Sequence, residues 1–277
     1  MEGKLEGRRA KLRTISVGHV LGFPVSIHYS WFTIFVLLTW VLAGSYYPAQ
    51  IQGRPSIQYW IAGGITTMVV FGGVLIHELG HAVVARRFQI PVRNITLFIF
   101  GGVAQIEGQP RSALAEFWIA FAGPAMSLGL AGAFRLLQAV STGLPFLSAP
   151  ARYLVYVNLT LALFNLIPGF PLDGGRVLRA VVWAVTGDMR RATLVAANAG
   201  RGVSFLLVVL GMWQVVVGNW GTGLWLAFIG WFLETASRAE IRGLVAKGLL
   251  APPDRWEARR PEYPPLPNGP REKPGNA

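Results

Sequence analysis

Six long apolar stretches dominate this chain and limit what it can fold into. They cover residues 30–47, 61–85, 113–140, 153–167, 203–217 and 220–236. A helix needs about 20 mostly apolar residues to cross about 30 Å of hydrocarbon, and these stretches approach or exceed that length. Only 14% of the residues are charged, against about 25% in an average soluble domain. The pattern predicts an all-α polytopic membrane protein with about six transmembrane helices.

Basic residues are distributed unevenly between the loops of this arrangement. With six spans and both termini on one side, only three of the 25 Lys and Arg residues lie on the other side, namely Arg54, Arg135 and Arg152. The side richer in Lys and Arg is the cytoplasmic one. The sequence therefore predicts a multi-pass cell-membrane protein, in contact with the lipid bilayer, with cytoplasmic N- and C-termini.

The net charge of +12 is explained by these basic loop residues, which orient the membrane helices. The basic residues do not form one face interleaved with aromatic residues, so nucleic acid is not expected as a partner. A signal peptide is the alternative for the first apolar stretch, because small residues lie near its end at Ala43-Gly44-Ser45. The long basic region before that stretch favours an uncleaved helix.

Two segments outside the spans have distinct patterns. Residues 95–106 contain two β-prone runs that flank Gly101-Gly102, which predicts a small membrane-associated β-hairpin between the second and third spans. Residues 1–29 form a basic cytoplasmic N-terminal segment. Residues 241–277 form a Pro- and Arg-rich cytoplasmic tail, which is predicted to be disordered because it carries few apolar residues.

The second apolar stretch contains the motif His77-Glu78-Leu79-Gly80-His81. Two histidines four residues apart lie on one face of a helix and can share a zinc ion, while the glutamate can take a proton from the attacking water. The motif arises by chance in soluble helices. Within hydrocarbon, however, ionisable groups are costly and generally functional, so we interpret it as a metal site.

A catalytic zinc site needs a third protein ligand, and the chain has no cysteine. Asp173 lies in a segment where Pro168, Pro171 and several glycines interrupt a helix among apolar residues. Such a break at membrane depth is tolerated where it lines a cavity or is buried in protein. Asp173 is therefore the predicted third ligand. The other acidic residues near the spans are interpreted as solvated charges at helix ends: Glu107, Glu116, Asp188 and Glu234.

Three motifs occur together in the order of a known family. The His77–His81 motif is followed by Phe121-Ala122-Gly123-Pro124, and then by Asn165 with two prolines before Leu172-Asp173-Gly174-Gly175. In these motifs the chain resembles the site-2 protease family of intramembrane zinc metalloproteases, peptidase family M50, in a version without PDZ or CBS domains. The resemblance covers roughly residues 70–180.

The resemblance implies a zinc metalloendopeptidase that cleaves single-span membrane proteins, such as anti-sigma factors. It implies a protease domain over residues 30–240 with its catalytic core at about 61–185, and one Zn²⁺ per chain with Glu78 activating the water. Asn165 would help to bind the scissile peptide or its oxyanion. Many relatives carry Asn where this chain has Ser127, so no catalytic role is assigned there.

The predicted hairpin suggests how a substrate is held. Its strand edge, with Gly101 and Gly102, could pair with an extended peptide by β-strand addition, and we therefore expect these glycines to contact substrate.

Three alternatives remain from the sequence. A different metallopeptidase fold would take Glu234 as its third ligand. A membrane metal transporter would also bury His and Asp, although transporters often repeat their broken helices and this chain has one break. The last alternative is an inactive scaffold that keeps the motif.

Overall fold

The computed structural model describes residues 14–99 and 101–246, which are mostly helical. The helices within this part of the chain are α1 Ser30–Gln50, α2 Ser56–Arg87, α3 Ala113–Val140, α4 Pro145–Asn165, α5 Asp173–Thr186, α6 Met189–Val216 and α7 Trp220–Ala246. The strands are β1 Thr14–Val20, β2 Phe23–His28, β3 Val92–Phe98 and β4 Gly101–Ile106.

Among the described helices, five are long and apolar enough to cross a membrane, namely α1 to α4 and α6. Large apolar side chains lie exposed on them, such as Leu136 and Phe205 at 70% and 72% exposure, as expected of surfaces that contact lipid. The sixth predicted span, residues 220–236, lies within helix α7, which is not among the five. This stretch is rich in Gly and Trp, which lower its mean hydropathy, and the count of six stays a prediction.

Helix boundaries follow the local sequence. The Ser112 hydroxyl accepts a hydrogen bond from the Ala115 N–H at the start of α3, and the Asp188 carboxylate caps α6 through the Arg191 N–H. Helices α4 and α6 begin well before the predicted spans at 153–167 and 203–217. Two prolines and Arg152 interrupt the apolar pattern at the start of α4, and two arginines do so in the first turn of α6. Predictions for residues 1–13 and 247–277 lie outside the described residues, whereas residues 241–246 continue α7.

The four strands form one sheet in the order β1-β2-β3-β4. The outer pairs are antiparallel, and β2 runs parallel to β3 with Val25 opposite Ile95. The fold is therefore mostly helical with a four-stranded sheet, and the prediction of an all-α protein with a lone hairpin was too narrow. Strands β3 and β4 occupy the region of the predicted hairpin. Strands β1 and β2 come from the predicted basic N-terminal segment.

The sheet packs against the part of α2 that carries the histidine motif. Phe23, Val25 and Ile95 of the sheet form a buried cluster with Leu79 and Ala82 of α2. Burial of each large apolar side chain contributes about 1.5–3 kcal/mol, so this cluster fixes the sheet on the helix. As a result, β4, at one edge of the sheet, lies beside the motif.

Helix α3 is the central connector of the helical part. It packs against α2, α4 and α5, while α6 packs against α5 and α7. A helix in this position can contact the side chains of α2 and hold α5 at the same time, which matters for the site described next.

Candidate metal centre and active-site cleft

The side chains of His77, His81 and Asp173 converge on one point. The two Nε2 atoms lie 3.3 Å apart, and each is 3.2 Å from Oδ2 of Asp173. Tetrahedral zinc with bonds of about 2.0–2.1 Å has donor atoms roughly 3.3 Å apart. The three donors therefore fit a zinc ion, and within residues 14–99 and 101–246 they form the one His, Asp and Glu group that converges in this way.

Both imidazoles are held by helix α3 through their Nδ1 atoms. His81 Nδ1 lies 2.6 Å from the carbonyl oxygen of Ile119, and His77 Nδ1 lies 2.9 Å from the Ser127 hydroxyl. A carbonyl oxygen only accepts, so His81 donates from Nδ1, which leaves the lone pair of Nε2 free to bind a metal ion. Such outer contacts orient metal ligands and increase their basicity.

The contact with Ser127 leads to a prediction. Replacing Ser127 with Ala should lower zinc affinity about 10- to 100-fold, because His77 loses the hydroxyl that orients its ring, and competition with a chelating indicator would measure this. Ser204→Ala is the matched control, since Ser204 is also buried in a helix but bonds the Gly200 carbonyl. Equal affinities for Ser127→Ala and the control would contradict the assignment.

The close approach of α3 depends on Gly123. A Cβ atom at this position would lie 2.7 Å from Nε2 of His77 and would also collide with His81. The Phe121-Ala122-Gly123-Pro124 motif therefore has a structural role that was not predicted from the sequence. A glycine next to a proline within an apolar span was the available signal.

Glu78 lies beside the converging donors and is held by strand β4. Its Oε2 atom accepts a hydrogen bond from the Ala104 N–H at 3.0 Å. Gly102 lies against the same side chain. Any larger residue there would collide with it, because a Cβ atom would lie only 2.5 Å from Cγ of Glu78. The edge strand thus positions the carboxylate of the motif.

A cleft of about 650 Å³ opens over these groups, between α2, β4, α4 and α5. Every site residue predicted from the sequence lines it: His77, Glu78, His81, Gly101, Gly102, Asn165 and Asp173. The Nδ2 atom of Asn165 donates to the Leu161 carbonyl one turn earlier at 3.0 Å, so this amide also helps to end α4.

Glu116 contradicts the prediction of a solvated charge at a helix end. It is fully buried, and its Oε1 atom accepts a hydrogen bond from Nε of Arg179 at 2.7 Å and another from Nη2. Arg179 is itself 4% exposed. Because Glu116 precedes Ile119 on α3 and Arg179 follows Asp173 on α5, this ion pair joins the helix that orients His81 to the helix that carries Asp173.

The other acidic candidates near the spans do not contribute to the centre. Asp188 is exposed and caps α6, and Glu107 is exposed next to Arg93. Glu234, the alternative third ligand, bonds Arg238 in its own helix at 2.7 Å instead.

Comparison with known proteins agrees with this geometry. The sequence model of Peptidase family M50 matches residues 65–152 and 145–210. The putative zinc metalloprotease Rip3 of Mycobacterium tuberculosis is 43% identical over 240 residues, which are 86% of this chain and 61% of that protein. The putative zinc metalloprotease sll0528 of Synechocystis sp. is 37% identical over 266 residues, 92% of this chain and 65% of that protein. The chain thus spans just under two thirds of the length of both relatives.

A solved structure shows the same architecture. The site-2 protease from Methanocaldococcus jannaschii matches with a TM-score of 0.53 and 25% identity, over 82% of this chain and 94% of that one. The family match extends over His77, Glu78, His81 and Asp173 and covers more than half of the sequence. The chain belongs to Peptidase family M50.

Proposed function

We propose that the chain is an intramembrane zinc metalloprotease, which hydrolyses peptide bonds in or near the transmembrane segments of membrane proteins. The observation that carries this proposal is the convergence of His77, His81 and Asp173 within 3.3 Å beside Glu78. The two histidines and Glu78 lie in a helix long enough to cross a membrane. In this proposal the three converging residues hold one Zn²⁺ and Glu78 is the catalytic base. The names of the two zinc metalloprotease relatives support it.

The chemistry divides between the metal and the carboxylate. His77, His81 and Asp173 would hold the zinc ion, which would supply Lewis-acid chemistry at the scissile carbonyl and at the attacking water. Glu78 takes the proton from that water and passes it to the leaving amine. The Ala104 N–H keeps the carboxylate of Glu78 beside the donor triangle throughout.

The cleft also has features that suit an extended peptide. A substrate helix must unwind locally, because its carbonyl groups are otherwise held in its own hydrogen bonds. Strand β4 lies at the edge of the sheet and lines the cleft, so an unwound segment can add to it as a further strand. A Cβ atom at Gly101 would meet nothing within 4 Å in the described part of the chain, so this glycine leaves room for the peptide, whereas Gly102 makes room for Glu78. Asn165 lines the same cleft from α4.

The membrane arrangement completes the proposal. With α7 as a sixth span, both termini lie on the cytoplasmic side of the cell membrane, where Arg86 and Arg87 end α2. His81 and His77 precede Arg86 by five and nine residues, which places them roughly 8–14 Å below that boundary at about 1.5 Å per residue. Water enters the cleft from the cytoplasm, and the substrates are single-span proteins such as anti-sigma factors.

A co-expression experiment tests the proposed function. The wild type should convert at least one member of a panel of tagged single-span proteins into a shorter, zinc-dependent product. Asp173→Asn should lose both cleavage and zinc, because an amide is a much weaker ligand than a carboxylate. Full zinc occupancy in Asp173→Asn would remove Asp173 from the ligand set. A zinc-loaded wild type that leaves the whole panel intact would count against proteolysis.

A further inference from the structure

Arg176 is a cation in the wall of the cleft. It lies three residues after Asp173 on α5, so the two side chains lie on the same face of the helix. Arg176 is half-buried and lines the cleft. The ion pairs found across residues 14–99 and 101–246 all involve other groups, so no acidic side chain there neutralises its guanidinium.

Arg179 also lines the cleft, but it is committed elsewhere. Its Nε and Nη2 atoms bond the buried carboxylate of Glu116, and its guanidinium lies 5.2 Å from the centre of the Phe170 ring. At about 100° per residue, Arg179 is turned roughly 120° around α5 from Asp173. Of the two arginines, Arg176 therefore carries the charge that the described part of the chain leaves uncompensated.

The charges that line the cleft do not cancel. Two positive charges on a bound Zn²⁺ would be balanced by the carboxylates of Asp173 and Glu78, and Arg179 is balanced by Glu116. The guanidinium of Arg176 then remains as one positive charge without a balancing carboxylate among these groups. Charges removed from water are costly unless they are paired, so a ligand that brings one negative charge into the cleft complements it.

We infer that Arg176 forms a subsite for an acidic side chain of the substrate, an inference that rests on the proposed function. Arg176 lies about 4.5 Å along α5 from Asp173, at about 1.5 Å per residue. An extended peptide advances about 3.3 Å per residue. A Glu or Asp within about two residues of the scissile bond therefore reaches the guanidinium, which binds carboxylates through two parallel hydrogen bonds.

Peptide hydroxamates test this subsite without requiring cleavage. The hydroxamate group anchors each probe at the metal, and the first or second residue carries Glu, Gln or Lys. With the full-length, zinc-loaded protein in detergent, we expect the Glu probe to bind about tenfold more tightly than the Gln probe, as one charge-assisted hydrogen bond provides. Arg176→Gln should abolish this preference, and Arg176→Glu should shift it toward the Lys probe.

A matched control separates a local contact from general electrostatics. Arg87→Gln removes a charge of the same sign at the exposed end of α2, outside the residues that line the cleft, and should keep the preference for Glu. Equal binding of the Glu and Gln probes by the wild type, or a preference that survives Arg176→Gln, would overturn the subsite while the metal centre stands. If no hydroxamate binds the zinc-loaded protein, the subsite and the proposed function both fail.

Discussion

Replacing Glu78 with Gln is expected to leave one zinc ion per chain and to slow peptide hydrolysis by about 10²–10⁴-fold, the usual contribution of a general base. Glutamine has nearly the same shape, and its carbonyl oxygen can still accept the Ala104 N–H that holds Glu78. It cannot take a proton from water. The cleavage rate of a reporter substrate in proteoliposomes would measure the effect on catalysis. The zinc content, determined by mass spectrometry, would measure the effect on metal binding.

Glu107→Gln is the matched control for this experiment. The carboxylate of Glu107 is exposed and lies 3.8 Å from Arg93, just after β4, so its removal changes charge near the cleft without touching the metal donors. We expect turnover close to that of the wild type. If Glu78→Gln cleaved at the normal rate, the base would lie elsewhere, and if it lost zinc, Glu78 would contribute to metal binding.

The candidate site could be predicted from the sequence because its signals are local. Two histidines four residues apart share a helix face wherever the helix forms, and the membrane makes such polar groups expensive to keep without a function. Asp173 emerged by elimination, because few acidic residues lie near apolar segments. The structure places the donor atoms of these residues within 3.3 Å of one another.

Features that depend on distant contacts could not be predicted in the same way. The parallel pairing of β2 with β3 joins residues such as Val25 and Ile95, which are far apart in the sequence. The contacts from Ser127 and from the Ile119 carbonyl to the histidines depend on how α3 packs against α2. The sequence around Glu116 is typical of a solvated charge at the start of a helix. Its burial and its ion pair with Arg179 depend on the position of α5.

The buried pair of Glu116 and Arg179 leads to the second large effect. Arg179→Met should lower the free energy of unfolding by about 3–5 kcal/mol, because it leaves the carboxylate of Glu116 buried and unpaired. For a domain of this size that corresponds to a fall of about 6–20 °C in the thermal midpoint. Zinc affinity should fall too, since the pair links the helices that carry Asp173 and orient His81. Thermal unfolding in detergent and zinc competition would measure both quantities.

The double variant Glu116→Leu with Arg179→Met separates stability from positioning. Replacing both charges by apolar side chains removes the unpaired carboxylate and should restore most of the lost stability. Zinc affinity should stay low if the ion pair sets the position of Asp173, and should recover if the pair acts only on folding. Arg238→Met is the control, because Arg238 is exposed and Glu234 is only partly buried, so this variant should change stability by less than about 1 kcal/mol. An equally small effect of Arg179→Met would mean that the buried pair contributes little to either property.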